Sequence, residues 1–382
     1  MTMLSMWTSL VDRLTLPAAF LFVLTIVVFF HELGHFLVAR WCGVYVKAFS
    51  IGFGPEIAGF YDRHGTRWKI SWIPLGGYVK FMDDENATSM PSREALAAMT
   101  PEERELSFHA KPVWKRAAVV VAGPLANFIL AVLIFAAFAM IFGVRTTEAR
   151  IQAIQPGSAA EAAGLRPGDL ITGIDGKKVA TFSDLQRAVS LSSGRELKLT
   201  INRDGKPLDL PITPRKSDVK DPIGGNSEEW RLGVQQMATP QTDNISKPGP
   251  IKALVLGVEQ THYIIAGTLS YIGDVIQGRR SANQLGGPAR IADISGKVAK
   301  MGFEYLVNLI GVISVSVGLL NLFPIPLLDG GHLVYYGIEA LLGRPLSERT
   351  QEYGFRMGMM IVLALMIFAF WNDRTIIAGW FS

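Results

Sequence analysis

Three apolar runs, Leu14–Ala39, Ala117–Phe142 and, with interruptions, Tyr305–Leu328, are each long enough to cross a bilayer, which takes about 20 residues. A fourth, around Met357–Trp371, is shorter but still acceptable. Hydrocarbon offers a backbone no water to bond, so runs of this kind fold as helices. The first reads as a retained helix: it is too long for a signal peptide and shows no small-residue cleavage site. Of the 382 residues, 49% are hydrophobic and 18% charged. That is too many charges for spans alone, so a soluble module is expected beside about four transmembrane helices. Basic residues crowd the 40–116 loop (Arg40, Lys47, Arg63, Arg67, Lys69, Lys80 and others) and recur before the last span at Arg344, Arg349 and Arg356. The positive-inside rule then places this loop in the cytoplasm, with both termini and the 143–300 region outside. A net charge of only +4, with its basic residues scattered, gives no sign of nucleic-acid binding. One cysteine, Cys42, leaves no internal disulfide and no cysteine-based zinc cluster.

Between the spans the hydrophobic period changes. "VKAFSIGFG" and "TRWKISWIP" alternate as two strands joined through "DRHG", a hairpin beside the first span, and Trp68 and Trp72 suit a membrane interface. A plain cytosolic hairpin is the alternative. Residues 143–214 read as a small strand-rich domain with a capped short helix at Ser158 and Glu161 and a second helix at "FSDLQRAVS". The phrase "GLRPGDLITGIDG" resembles a bacterial PDZ domain, which implies binding of an extended peptide as an added strand. Residues 215–300 read as a linker, with one strand around "RLGVQ", followed by an amphipathic helix. There Leu254, Val258, Ile265, Leu269, Ile272 and Ile276 recur at helical spacing among Lys252, Glu259, His262 and Asp274. This suits a helix lying on the membrane better than a fifth span.

"HELGH" falls inside the first span. On a helix His31 and His35 share one face, one turn apart, where both imidazoles can grip one metal ion. Glu32 is displaced by about 100°, within reach of a metal-bound water. An ionisable residue at membrane depth costs on the order of 2–3 kcal/mol and so needs a polar partner. A catalytic zinc needs a third protein ligand. "NLFPIPLLDGGH", 321–332, offers Asp329 just past a break at Pro324 and Pro326, in the same cytoplasmic half as His31. His332 is a second candidate, and a helix N-cap is the other use for Asp329. His64, His109, Asp83, Asp84 and Glu85 read as solvated groups in polar turns.

HELGH, "GFGP" (52–55), "AGPLANF" (122–128), the PDZ-like segment and "NLFPIPLLDGGH" occur in this order over nearly the whole chain. Together they resemble the site-2 protease family, in particular the bacterial RseP-type regulated intramembrane metalloproteases. The resemblance implies Zn2+ held by His31, His35 and Asp329, Glu32 as general base, and substrate contact by Asn321. Asn127 is read either as a substrate contact or as an interhelical amide; the same alternative stands for Asn321. The implied substrates are single-span membrane proteins of the anti-sigma factor type, with remnant signal peptides a further class. The implied location is the bacterial cytoplasmic (inner) membrane, with the lipid bilayer as a partner. The expected layout is a first transmembrane helix over 1–43, a cytoplasmic-side loop with its hairpin over 44–116, and a second span over 117–142. The PDZ domain follows over 143–214, then the linker and surface helix over 215–300, and the last two spans over 301–382. A PDZ-bearing scaffold with a structural metal site is the rival function, and a metal transporter a weaker one. Neither has a use for Glu32.

Overall fold

The computed structural model describes residues 3–83, 99–220, 226–236 and 245–381. The chain forms two compact units, Met1–Ile134 with Leu285–Ser382, and Phe135–Gln284. In chain order the first unit opens with helix α1 (Met3–Trp41), strands β1 (Val46–Tyr61) and β2 (Arg67–Phe81), and helices α2 (Pro101–Leu106) and α3 (Val113–Phe142). Next come β3 (Val144–Arg145), β4 (Ala153–Ile154), α4 (Ala159–Ala162), β5 (Leu170–Ile174), β6 (Lys177–Lys178) and α5 (Phe182–Ser190). They are followed by β7 (Leu197–Arg203), β8 (Lys206–Ile212), β9 (Arg215–Lys220), β10 (Asn226–Arg231), β11 (Val234–Gln235), β12 (Ile245–Ser246) and α6 (Pro250–Ile276). Helices α7 (Pro288–Met301), α8 (Phe303–Asn321), α9 (Asp329–Leu342) and α10 (Glu348–Phe381) end the chain.

Among the described residues, four helices are long and apolar enough to cross a membrane: Leu14–Trp41 in α1, α3, α8, and Glu348–Trp380 in α10. The third run stops being helical at Asn321, just before the break expected at Pro324 and Pro326, which carry no N–H for the ladder. The fourth runs well past 357–371 at both ends. Helix α7, which no sequence signal singled out, packs along the start of α1, where a side chain on Gly296 would stand 3.0 Å from the Leu16 backbone. Its N-terminal amides at Gly287 and Arg290 donate to buried Asp373 of α10, at 2.9 and 3.0 Å.

Beside α1 the two long strands curl on themselves. Ala58–Tyr61 pairs antiparallel with Arg67–Ile70, while Val46–Ile51 pairs with Gly77–Phe81 along its other side. Phe36 of α1, Phe49 and Trp68 interlock behind this sheet, with Phe49 stacked on Trp68 at 4.3 Å. These rings, with Val44, Val46, Val119 and Tyr336, form the apolar core under the C-terminal end of α1. The outer stretch is different: Ile57, Phe60, Tyr61, Ile70, Trp72, Ile73 and Leu75 are all exposed. An apolar surface of this extent fits lipid or a partner better than water.

In the second unit a four-stranded sheet, ordered β6-β5-β7-β8, covers a core of Ile171, Leu185, Leu197, Leu199 and Ile201. The unit does not end at 214. β11 pairs with β4, and Leu232 joins the same core at 3% exposure, so a strand from the expected linker completes the fold. Helix α6 meets it through Arg187–Gln260 and Ser193–Ser270, at 2.7 and 2.9 Å. The α6 residues Leu254, Val258, Leu269 and Ile276 are exposed.

Candidate metal centre

The first unit brings His31, His35 and Asp329 together: one ligand-capable atom from each lies within 4.8 Å of the other two. His31 Nε2 and His35 Nε2 are 3.2 Å apart, and Asp329 Oδ2 is 3.2 Å from the first and 3.5 Å from the second. Two residues on α1 at a spacing of four supply the imidazoles, and the helix periodicity alone puts them on one face.

The carboxylate arrives by a less regular route. After α8, Leu322 and Phe323 donate back to Leu319 and Leu320, Ile325 donates to Phe323, and Leu328 to Ile325. These short turns satisfy the backbone that two prolines would otherwise leave orphaned, as irregular chain at membrane depth demands. Helix α9 then begins at Asp329, its N-cap being Leu328. Asp329 is therefore not the cap. Gly330 and Gly331 permit the sharp return: a side-chain carbon on Gly330 would sit 2.3 Å from the Leu322 and Phe323 carbonyls, and one on Gly331 2.4 Å from that of Ile325.

Helix α3 presses against the imidazoles from the other side. Gly34 of α1 lies so near α3 that a side chain there would stand 2.2 Å from the Ala122 carbonyl. A side chain on Gly123 would meet His35 Nε2 at 2.2 Å and His31 Cε1 at 2.9 Å. Both glycines are thus obligatory for the ring positions.

Hydrogen-bond accounting tests whether these groups suit a cation. His35 Nδ1 lies 2.9 Å from the Val119 carbonyl, which can only accept, so Nδ1 carries the proton of the neutral ring. Its Nε2 then presents a lone pair to the cluster. Asp329 Oδ2 is buried and has no hydrogen-bond donor among the described residues. Acceptors facing one another without a proton between them are the pattern that a buried cation resolves. Two imidazole nitrogens and a carboxylate oxygen are a donor set of the zinc-enzyme kind, with a fourth position left for water.

Glu32 sits on the same helix, half-buried, and accepts the backbone N–H of Val79. Strand β2 comes so close that a side chain on Gly77 would stand 3.1 Å from Glu32 Cγ. This contact has no signature in the sequence beyond the Gly76–Gly77 pair. Asn127, fully buried on α3, lies against His31, with its amide 3.3 Å from Nδ1. Asn321 occupies the last turn of α8, half-buried, and is not among the converging groups. His332 faces Tyr335 along α9, and His64 is exposed. Asp83 differs from the solvated turn expected of it: it accepts from Ser107 Oγ and from the backbone of Phe108 and His109. Asp84 and Glu85 lie outside the described residues.

Residues 19–365 match the model of peptidase family M50. A protein named as a zinc metalloprotease in Rhizobium meliloti is 47% identical over 95% of this chain and 98% of its own length. One from Agrobacterium fabrum, similarly named, is 48% identical over 94% and 96%. Metalloprotease MmpA of Caulobacter vibrioides is 38% identical over 95% and 96%. A match of this extent, laid over two histidines of a membrane-length helix that meet Asp329 at the start of α9, places the chain in peptidase family M50, the site-2 protease family.

Proposed function

We propose that the chain is a zinc-dependent endopeptidase that cuts single-span membrane proteins within or near the bilayer of the bacterial inner membrane. The observation that carries this reading is the convergence of His31, His35 and Asp329 beside Glu32 on an otherwise apolar helix. His31 Nε2, His35 Nε2 and Asp329 Oδ2 would hold the ion. When bound there, zinc would supply a Lewis acid that lowers the pKa of a water to about 7.

The chain's own groups do the rest. Glu32, steadied by the Val79 N–H, takes the proton from the attacking water and later delivers it to the leaving amine. Asn321, at the broken end of α8, hydrogen-bonds the substrate backbone or its developing oxyanion. A substrate helix hides its carbonyls, so it must be extended before attack. The apolar, exposed outer part of the β1–β2 sheet supports a role as the clamp that pairs with the unwound segment as an added strand. Substrates of the anti-sigma factor type, and remnant signal peptides, fit this requirement for a single short span.

The strand-rich unit fits a PDZ-type domain on the extracytoplasmic side. Its groove, about 370 Å³, runs between α5 and residues Glu229–Gln235, with Leu185, Val189 and Leu232 along its walls. An extended peptide of a substrate or sensor would add there.

The test is cleavage of a single-span model substrate by the detergent-solubilised full chain, with zinc content measured in parallel. Wild type is expected to cut; Glu32→Gln is expected to keep zinc and lose activity by at least about 100-fold. Equal cutting by both would overturn the enzyme mechanism. Absence of cutting by either, with zinc bound, would favour the scaffold.

A further inference from the structure

We propose that Asn127 is a positioning residue for His31: its side-chain oxygen takes the Nδ1 proton of the imidazole and so directs the Nε2 lone pair into the ligand cluster. The inference rests on the metal-site reading above and concerns a group which that mechanism leaves unused.

Val119, Gly123 and Asn127 recur every four residues on α3, so they form one stripe along one face. His35 and His31 are likewise four apart on α1. The two helices run antiparallel here, and the stripes are matched position by position. Val119 meets His35 through its carbonyl at 2.9 Å, and Gly123 makes room for both rings. Asn127 meets His31 Nδ1 at 3.3 Å. Val119 thus fixes the proton of one imidazole. The other ring needs an equivalent acceptor at its Nδ1, because a neutral histidine that ligates through Nε2 must carry its proton on Nδ1.

Asn127 lies with Nδ2 toward His31 and with Oδ1 buried and lacking a hydrogen-bond donor among the described residues. In that orientation Nδ2 would donate, Nδ1 of His31 would accept, and the ring proton would be forced onto Nε2, inside the cluster where Asp329 Oδ2 has no hydrogen-bond donor among the described residues. Such a ring cannot ligate. Half a turn of the amide exchanges two nearly isosteric atoms. Oδ1 then receives the Nδ1 proton, the orphaned acceptor is satisfied, and Nε2 is freed.

The rest of the residue is immobilised to suit this task. Its backbone carbonyl accepts from Ser314 Oγ of α8 at 2.9 Å, and a side chain on Gly318 would stand 3.3 Å from its Cβ. With no exposed surface, Asn127 touches the ring atom remote from the cluster. That geometry suits an orienting group better than a substrate contact.

Two variants separate the alternatives. Asn127→Asp keeps the acceptor and removes the donor; Asn127→Leu removes both at similar volume. Zinc affinity is measured on the full chain in detergent, without substrate, by competition with a chelator. Histidine 15N spectra of the zinc-loaded protein report the Nδ1–H of His31 directly. The expected results are wild-type or tighter zinc binding for Asn127→Asp, and a loss of about 10–100-fold for Asn127→Leu with disappearance of that Nδ1–H signal. A tenfold or greater loss in Asn127→Asp would overturn the proposal. So would undiminished zinc binding in Asn127→Leu, the result expected of a substrate contact, which would lower cleavage alone. Should Asn127→Leu fail to fold, the aspartate variant still decides. Failure of the wild type itself to bind zinc would remove the metal-site reading, and this proposal with it.

Discussion

Asp329 and Asp169 are both buried aspartates, and their surroundings have opposite meanings. Asp169, in the strand-rich unit, has a relative exposure of 1% and is closed on every side. Arg203 reaches it with two nitrogens at 2.8 and 2.7 Å, and the backbone of Arg166 donates at 2.8 Å. Its accounting is complete, so it has nothing left to offer a ligand. Asp329 has two imidazoles for neighbours and no proton donor on Oδ2 among the described residues. A burial that leaves a charge unanswered costs several kcal/mol unless something else answers it. The closed aspartate therefore serves the fold, and the open one keeps an oxygen free for the proposed ion.

The largest effect should come from the open one. Structural zinc sites are worth about 10–16 kcal/mol over four ligands, so each protein ligand carries roughly 3 kcal/mol, more than a hundredfold in affinity. Asp329→Asn is expected to weaken zinc by at least that factor. It should also abolish the rise in unfolding temperature that zinc gives the wild type. If the variant keeps both, the contrast between the two aspartates is broken at its first term.

Asp169→Ala should do the reverse. Stranding one partner of a buried pair costs about 3 kcal/mol, felt as faster hydrogen exchange in β5 and β7, with zinc affinity unchanged. Its pH dependence has a definite sign. Hydrogen bonding to the Arg203 guanidinium, opposed by burial, holds the Asp169 carboxyl below the usual carboxylate range. The stabilisation is therefore fully present above about pH 4 and fades as the pH falls through the depressed value. Asp169→Asn should remove that acid-side slope, whereas an unchanged slope would show that the pair does not control it.

The two centres also differ in how far the sequence exposes them. His31, Glu32 and His35 are legible because helical periodicity is local: a spacing of four fixes the shared face whatever packs against it. Asp329 is legible through the oddity of two prolines inside an apolar run. The part played by α3 is not, since it depends on Gly34 and Gly123 letting two helices approach, and no local pattern says which glycines face one another. For the same reason the strand expected at "RLGVQ" does not reveal that it belongs to the strand-rich unit. Leu232 and Val234 return to a core laid down by Ile151 through Ile212, and a two-residue strand such as β11 is too short to announce its partner. Asp83 looks like part of a solvated acidic run because its three donors lie some two dozen residues further on.

The mildest predicted effect tests whether the metal centre has its own closed contact, on Glu32. A side chain at Gly77 would meet the Ser50 carbonyl at 2.8 Å, Val28 Cγ1 at 3.0 Å and Glu32 Cγ at 3.1 Å. None of these can retreat freely: Ser50 belongs to the paired strand, and the other two to α1. Gly77→Ala should therefore push β2 outward by a few tenths of an ångström and loosen the Val79 N–H on the glutamate. A base misplaced by about 1 Å can cost roughly 100-fold, and a smaller shift should cost about tenfold in kcat. Zinc affinity should stay at the wild-type level, because His31, His35 and Asp329 do not touch Gly77 in the way Glu32 does. A fall in zinc affinity matching the fall in rate would mean that strand and ligands move as one body, and that the base has no separate support.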